Sequence, residues 1–340
     1  MKELRAVLVG CGGMSGEWFK SAAKIEGLRI VGVVDIDVNR AAARAKEFNL
    51  ADAVAGTDVA TVLSQTKPDV VFDVVVPPAR HAVVAAALDA GCHVLSEKPM
   101  ADTLDQAKDL VARAAKAGRV HAVIQNRRYN SQVRRVRQFI ASKAIGDVTS
   151  VHCDFFVGPH FGGFREEMRH VLLLDMAIHT FDAARYLLAD SAVAVYAHEW
   201  DPKSSWYHQG SSASAIFEMS SGAIFNYRGS WCAEGLPTSW ESTWRVICTN
   251  GTLLWDGGEN IRAAAVERRE GFVSPTKDVE IPPAEPSNRL GHYGVMADFI
   301  DAVRGGPDPQ TLGRENIKSL AMVDGAIRSS ETKQRVQITV

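Results

Sequence analysis

Three side chains, Lys98, Asp175 and His179, have the types and spacing for acid–base chemistry at an alcohol. Asp175 and His179 lie four residues apart in LLLDMAIHTFDAARYLL, whose apolar spacing predicts a helix, so both are expected on one helix face. A carboxylate there can orient an imidazole and support its charged form. Oxidation of an alcohol needs a base for the hydroxyl proton while the carbinol hydrogen leaves as hydride, and His179 is predicted to be that base.

Lys98 follows a predicted strand, so its ammonium can donate a hydrogen bond to the reacting oxygen and stabilise developing alkoxide charge. If burial lowers its pKa, Lys98 can be the base instead, and the sequence leaves both assignments open. An ordinary helix pair and a solvated turn lysine are the purely structural alternatives. A metal site of His170, Asp175 and His179 is not expected, because no third ligand stands at zinc spacing and a nearby lysine repels a cation.

The segment VLVGCGGMSG predicts a strand, a tight turn and a helix. The apolar run Ala6 to Val9 leads into Gly10 and Gly12, and a helical pattern follows from Glu17 to Lys24. Two glycines allow a sharp turn and the close approach of a pyrophosphate to amide groups at a helix N-terminus. The third position of the fingerprint is Ser15, which is small enough for close packing.

Asp35 ends the next apolar run, Ile30 to Val34, 25 positions after Gly10 (35 minus 10). An acid at this place accepts hydrogen bonds from ribose hydroxyls and repels a 2'-phosphate, so NAD is the predicted cofactor. Asp37 strengthens this preference, whereas Arg40 weakens it and leaves NADP open. A turn and helix cap is the structural alternative for the two aspartates.

The sequence pattern changes along the chain and predicts two domains of different architecture. Strand-like and helical runs alternate through residue 124, among them a strand expected from Val70 to Val76 and a helix expected from Leu104 to Ala117. This alternation predicts a parallel sheet with helices on both faces. From about Val148 the chain alternates apolar and polar residues between Gly, Ser and Asn turns, which indicates an antiparallel sheet. We therefore predict an α/β protein, with a doubly wound Rossmann domain at 1–125 and an α+β domain at 126–340 that has a large, mostly antiparallel open sheet. The late helices are expected at Tyr293 to Val303 and Arg314 to Ser329, where they can pack back on the first domain.

The amino-acid composition is that of a soluble globular protein. The 340 residues are 46% hydrophobic and 23% charged with a net charge of -2, so neither nucleic acid nor an acidic membrane is an expected partner. Five cysteines without C-x-x-C spacing predict reduced, buried thiols. Because no leader or membrane-span pattern follows the first residues, a cytoplasmic protein is expected.

The block VVVPPARHAVVAAALDAGCHVLSEKPMADTLDQA resembles the signature of the glucose-fructose oxidoreductase and inositol dehydrogenase (Gfo/Idh/MocA) family. The segments QNRRYN, LLLDMAIHTFD, SSGAIFNYRGSW and TNGTLLWDG extend the resemblance along the chain. It implies a nicotinamide-dependent dehydrogenase of sugars, cyclitols or related polyols, with Lys98, Asp175 and His179 catalytic. Where the family more often has glycines before its aspartate, this chain has VLLL, which predicts a narrower or more apolar pocket wall.

The cofactor and substrate contacts can be assigned with that resemblance. The predicted cofactor contacts are Gly10, Gly12, Gly13, Met14, Asp35, Ile36, Arg40, Val76, Pro77, His81, Glu97 and Lys98. The predicted substrate contacts are Arg127, by resemblance, and His160, Arg165 and His170 in a glycine-rich loop. Arg128 has a structural alternative role, and Tyr207, His208 and Trp231 are weaker candidates for stacking on a sugar ring.

Two further functions are compatible with the sequence. An NAD-dependent glycosidase or lyase would use transient oxidation without net cofactor reduction, and a nucleotide-sensing regulator would bind cofactor without turnover. The retained set of Lys98, Asp175 and His179 argues against the regulator. Because the open sheet carries apolar residues, a homodimer or homotetramer is expected.

Overall fold

The computed structural model describes residues 3–340, and the chain forms two compact units over these residues. The first unit comprises the chain up to Tyr129 together with Asn288–Ile317, and the second comprises Asn130–Ser287 together with Lys318–Val340. The division lies four residues after the predicted boundary at 125. It also assigns the first of the two late helices to the first unit; residues 1 and 2 lie outside the described part of the chain.

The first unit contains a six-stranded parallel sheet. Its strands are β1 (Leu4–Val9), β2 (Leu28–Val34), β3 (Val54–Gly56), β4 (Val70–Asp73), β5 (His93–Ser96) and β6 (His121–Val123). They lie in the order β3-β2-β1-β4-β5-β6. Strand order reverses between β1 and β4, and in such sheets the crevice at the carboxyl ends of the strands binds the ligand.

Helices cover this sheet, which explains why its strands are mostly apolar. The helices are α1 (Ser15–Ala22), α2 (Val38–Glu47), α3 (Val59–Thr66), α4 (Pro77–Asp89), α5 (Leu104–Ala117) and α9 (Gly291–Val303), with a 3-10 turn at Asn126–Tyr129. Val295, Met296, Phe299 and Ile300 of α9 are buried in the same core as the strands. The late helix is therefore an integral part of the first unit.

The second unit contains a nine-stranded sheet that is mostly antiparallel. Its strands are β7 (Val148–Phe156), β8 (Ala192–Trp200), β9 (Ser212–Met219), β10 (Ile224–Ser230), β11 (Thr243–Cys248), β12 (Gly251–Trp255), β13 (Ile261–Val266), β14 (Thr276–Val279) and β15 (Val336–Gln337). The order is β14-β13-β12-β11-β7-β10-β9-β8-β15, and β7 pairs in parallel with β10. Together with the first sheet, this arrangement confirms the predicted fold class.

One face of the large sheet is covered by helix. The second unit contains α6 (Ser131–Ala141), the short α7 (Phe164–Glu167), a π-helical turn at Leu172–Ala177 and α8 (Ile178–Leu188); α10 (Gly313–Thr332) spans the division of the chain. Phe181 of α8 packs edge-on against Phe217 and Tyr227, with ring centroids 4.8 and 5.1 Å away. This aromatic core holds the start of α8, and with it the π-helical turn, against the sheet.

All five cysteines are buried free thiols, as expected. Burial raises the pKa of Cys11 to about 12 and that of Cys92 to about 11, so neither is a thiolate at neutral pH. Among residues 3–340 no helix is both long and apolar enough to cross a membrane.

Candidate active site and cofactor-binding site

In the turn after β1 the first glycine is tightly packed, whereas the two that follow Cys11 are exposed. Gly10 has a φ of +99°, and a Cβ there would lie 2.7 Å from the carbonyl carbon of Val74. A Cβ on Gly12 or Gly13 would meet nothing within 4 Å. Gly10 is thus required by the fold, whereas Gly12 and Gly13 leave the backbone accessible from outside, which fits a bound pyrophosphate.

This contrast predicts different outcomes for two alanine variants. Gly10→Ala should destabilise the protein by about 2 to 4 kcal/mol, because the new methyl group meets a carbonyl at a left-handed φ. Gly12→Ala should leave the melting temperature unchanged and weaken NADH binding about tenfold, because its methyl group obstructs only a bound ligand. Thermal melts and calorimetric NADH titrations test both expectations. Equal NADH affinity in Gly12→Ala would show that the pyrophosphate does not lie at this turn.

Asp35, directly after β2, is tied to the glycine turn. Its carboxylate accepts hydrogen bonds from the backbone N–H of Cys11 at 2.8 Å and of Asp37 at 3.0 Å. Arg40 Nη1 lies 3.4 Å from the same carboxylate and its side chain is half exposed. The predicted acid and the predicted arginine are therefore neighbours, and Asp37 also caps α2 through Asn39 N–H.

Exposed apolar side chains surround this crevice. Ile36 is 92% exposed, and Met14, Val38 and Val76 are each nearly half exposed. They follow β1, β2 and β4, which are adjacent in the sheet. An apolar rim around an acid and an open glycine turn suits the adenosine half of a dinucleotide, and Gly12, Asp35, Ile36 and Val76 are the residues best placed to hold it.

Arg44, which the sequence did not single out, contacts the glycine turn. Its Nη2 donates to the carbonyl of Gly12 at 3.3 Å, and its Nη1 pairs with Glu47 at 2.7 Å. The available signal was its position four residues after Arg40, which places both guanidinium groups on one face of α2.

The Glu97–Lys98–Pro99 turn after β5 is held mainly by Glu97. The carboxylate of Glu97 accepts from Trp18 Nε1 and from the backbone N–H of Lys98, both at 3.0 Å, and His292 Nε2 lies 3.9 Å away. Glu97 is buried and the Lys98 side chain is half-buried. Glu97 therefore positions the turn, and its predicted direct contact with cofactor stays a prediction.

A buried ion pair, also missed from the sequence, holds the other side of this turn. Arg80 Nε donates to Asp73 at 2.8 Å, Nη1 donates to the Pro99 carbonyl at 2.5 Å, and Nη2 donates to the Val75 carbonyl. Burial raises the pKa of Asp73 to about 6 despite the opposing charge of Arg80. The pair links the ends of β4 and β5, so it fixes the backbone on which Lys98 is mounted.

His81 and Pro77 occupy different places on α4. Pro77 is the first residue of the helix, next to the exposed Val76. His81 Nε2 lies 2.7 Å from Asp109 of α5, in a cluster that includes Arg113. This partner gives His81 a helix-packing role, and its contact with cofactor remains a prediction.

In the second unit, Asp175 lies in the π-helical turn and His179 in the first turn of α8. Asp175 is 8% exposed, and its carboxylate accepts from Arg165 Nε at 2.9 Å. His179 is half-buried. The structure therefore brings a predicted substrate residue, Arg165, onto a predicted catalytic one. π-helical turns recur at functional sites.

The other predicted substrate residues are distributed through both units. Arg127 is buried in the 3-10 turn of the first unit. His160, in the second unit, is exposed and stacks on Trp206 with centroids 3.8 Å apart. His170 is buried, has a φ of +53° and lies 2.6 Å from Glu199, an arrangement that supports the fold.

The weaker stacking candidates differ in exposure. Tyr207 and Trp231 are buried, so their rings are not accessible and the stacking prediction is wrong for them, whereas His208 is exposed. Across residues 3–340 no group of three His, Cys, Asp or Glu side chains is arranged to hold a metal ion. The apolar residues Val171, Leu172 and Leu173 before Asp175 are fully buried in the core.

Comparison with known proteins agrees with this architecture. Residues 4–125 match the model of an oxidoreductase family with an NAD-binding Rossmann fold, and residues 133–254 match the GFO/IDH/MocA C-terminal domain. The chain is 31% identical to D-glucoside 3-dehydrogenase of Escherichia coli over 98% of this chain and 97% of that protein. It is 26% identical to 1,5-anhydro-D-fructose reductase of Ensifer adhaerens over 97% of both. An oxidoreductase from Agrobacterium radiobacter, solved in complex with NAD+, L-tartaric acid and magnesium, superposes with a TM-score of 0.85 at 21% identity, covering 99% of each chain.

The fold and the family matches define an NAD-dependent oxidoreductase. The chain belongs to the Gfo/Idh/MocA family. The predicted family, the prediction of an NAD(P)-dependent dehydrogenase acting on CH–OH groups, and NAD as cofactor are confirmed.

Proposed function

We propose that this protein oxidises a secondary alcohol of a sugar, cyclitol or related polyol, with NAD as hydride acceptor. The observation that carries the proposal is the Glu97–Lys98–Pro99 turn, which the Asp73–Arg80 pair and Glu97 hold at the carboxyl end of β5. A protein that rigidly mounts an amine next to a dinucleotide crevice is built for chemistry at a reacting oxygen. Relatives named as D-glucoside and D-apiose dehydrogenases support sugars as the substrate class.

In line with the family resemblance, Lys98, Asp175 and His179 are proposed to act on the substrate alcohol. His179 accepts the hydroxyl proton, and the Lys98 ammonium donates a hydrogen bond to the oxygen as negative charge develops. The carbinol hydrogen leaves with its electron pair, and bound NAD supplies the acceptor for that hydride. Asp175, anchored by Arg165, orients the imidazole and offsets the charge that it gains.

A cofactor-reduction screen tests this proposal. NAD and NADP are each incubated with a panel of sugars, inositols and sugar acids, and absorbance at the reduced nicotinamide band is followed. Stoichiometric NADH with one oxidised product is the expected result. Product release without NADH accumulation would support a glycosidase or lyase, and cofactor binding without any product would support a regulator.

We further propose that the open face of the nine-stranded sheet pairs with a second copy of this chain. Tyr196 on β8 and Ile216 on β9 are direct cross-strand partners, and both are about half exposed. Trp200 and Leu254 are also exposed apolar residues on strands of this sheet. Exposed apolar side chains on an uncovered sheet face favour a covering surface.

The double variant Tyr196→Glu, Ile216→Glu should therefore convert the oligomer to single chains, because pairing would bury two carboxylates without partners. Light scattering coupled to size-exclusion chromatography measures the mass. Val273→Glu, at a highly exposed valine outside the strands, is the matched control and should keep the parent mass. An unchanged mass in the double variant contradicts the proposed interface.

A further inference from the structure

We infer that exposed aromatic rings beside Asp175 form a stacking platform for a second ring of the substrate, so that the enzyme acts on a ring-bearing glycoside in preference to a free monosaccharide. The platform is defined by Phe161, Phe164 and Trp240. This inference rests on the proposed function and specifies its substrate class.

Sheet topology brings the platform segments to one end of the second unit. Strand β7 is parallel to β10, and β8 and β10 are both antiparallel to β9, so the carboxyl ends of β7, β8 and β10 lie at the same end. The segments that follow these strands, 157–167, 201–210 and 231–240, are joined by hydrogen bonds. Ala233 N–H donates to the Val157 carbonyl at 3.4 Å, and His208 N–H donates to the Glu166 carbonyl at 2.7 Å.

The rings stand on a fixed base. Trp231 is 2% exposed, and the rings of Phe161 and Trp240 each lie 5.6 Å from it, centroid to centroid. Phe161 and Phe164 are nevertheless 46% exposed, and Trp240 is 50% exposed. An exposed aromatic ring that is held in place by a buried neighbour loses little conformational entropy when a ligand ring stacks on it.

Arg165 connects the platform to the predicted catalytic residue. Its guanidinium lies 4.9 Å from the Phe161 ring centroid and 4.8 Å from that of Phe164, while its Nε donates to Asp175 at 2.9 Å. The platform is thus separated from Asp175 by a single side chain. A substrate whose reacting ring contacts Asp175 would place an attached group over these aromatic rings.

The chemistry around the rings suits a carbohydrate ring or an aromatic aglycone. His160, stacked on Trp206, has its Nε2 3.1 Å from Glu234, so polar groups border the apolar surface. A glycoside presents an apolar ring face and polar edges. Three rings are also a small area compared with the roughly 800 Å² per partner that a stable protein interface buries, so a macromolecular partner is disfavoured.

The test compares p-nitrophenyl glycosides of glucose, galactose and xylose, the disaccharide cellobiose and the free parent sugars. For the preferred sugar, Trp240→Ala should lower kcat/KM for the ring-bearing glycoside about tenfold, while kcat/KM for the free sugar stays within twofold. Trp240→Phe should retain most of the activity. Phe272→Ala, at an exposed aromatic residue between β13 and β14, is the control and should change neither value.

An equal loss of kcat/KM for the glycoside and the free sugar would show that the rings only support the fold, and it would overturn the inference. An unchanged kcat/KM for both substrates would also overturn it. Direct binding of the p-nitrophenyl glycosides, followed by quenching of tryptophan fluorescence, separates this inference from the proposed function. Quenching that depends on Trp240 without any NADH formation would refute the dehydrogenase reaction and keep the platform. Oxidation of free sugars with no binding of any glycoside would refute the platform and keep the dehydrogenase reaction. The p-nitrophenyl and cellobiose arms distinguish an aromatic aglycone from a second sugar.

Discussion

Replacing Lys98 with methionine should lower kcat about 1,000-fold while the dissociation constant for NADH changes less than twofold. Removal of one preorganised donor to a developing oxyanion typically has an effect of this size. Methionine matches the length of the lysine stem but donates nothing. The turn itself should persist, because Glu97 binds the backbone N–H of residue 98 and Arg80 binds the Pro99 carbonyl, and neither contact uses the lysine amine.

Steady-state kinetics with the best alcohol from the cofactor screen and calorimetric titration with NADH measure the two quantities. Lys116→Met, at an exposed lysine in the last turn of α5, is the matched control and should behave as the parent. A Lys98→Met enzyme that retains more than about a tenth of the parent kcat would remove Lys98 from the proposed mechanism.

Local signals in the sequence explain how well single elements could be predicted. The helix at Leu104–Ala117 was expected with the bounds that the structure has, because Thr103 caps its start and Gly118 ends it in the left-handed conformation. No element was assigned to β3 or α3. A three-residue strand and an eight-residue helix with several β-branched residues have weak periodicity, although Asp58 caps α3 through Thr61 N–H.

Some element bounds were wrong for a related reason. The strand expected to run from Val70 to Val76 ends at Asp73, where the carboxylate turns to Arg80 and α4 begins at Pro77. The apolar run continues past the strand because Val75 and Val76 border the crevice instead of pairing in the sheet. An apolar run is thus equally compatible with a buried strand and with a binding surface. Only the hydrogen-bond pairing between strands, which the sequence does not give, distinguishes the two.

Site residues were predictable where one segment carries the signal. Gly10 and Asp35 could be placed because a fingerprint spacing connects them, and the structure joins them through Cys11. Arg80 was missed because its function depends on Asp73 and Pro99, which reach it only when β4 and β5 pair. The same limit applies to His170, whose partner Glu199 is 29 residues away.

The π-helical turn that carries Asp175 was not predictable. Spacing of four residues places Asp175 and His179 on similar faces of an α-helix and of a π-helix, so periodicity alone cannot distinguish the two. The structural consequence is local: the turn begins after His170, whose left-handed φ and contact with Glu199 hold the preceding loop. Arg165 in that loop reaches Asp175, which connects loop conformation to the site.

His179→Gln should lower kcat about 1,000-fold and also change the shape of the pH profile. Loss of a general base usually has an effect of 100-fold to 10,000-fold, and glutamine keeps the approximate size and a hydrogen-bonding end while it cannot take a proton. In the parent enzyme kcat/KM should rise with pH as the base loses its proton. Lys116→Met, the exposed control in α5, should keep both the rate and the profile.

The pH profile also decides between the two candidate bases. If His179 is the base, the rise with pH should disappear in His179→Gln and persist in the residual activity of Lys98→Met. If Lys98 is the base, the rise with pH should disappear in Lys98→Met and persist in the residual activity of His179→Gln. His179 would then be the hydrogen-bond donor. Loss of rate with an unchanged rise in both variants would assign each residue to positioning, because a group that only orients the substrate changes the rate constant without changing which proton limits it.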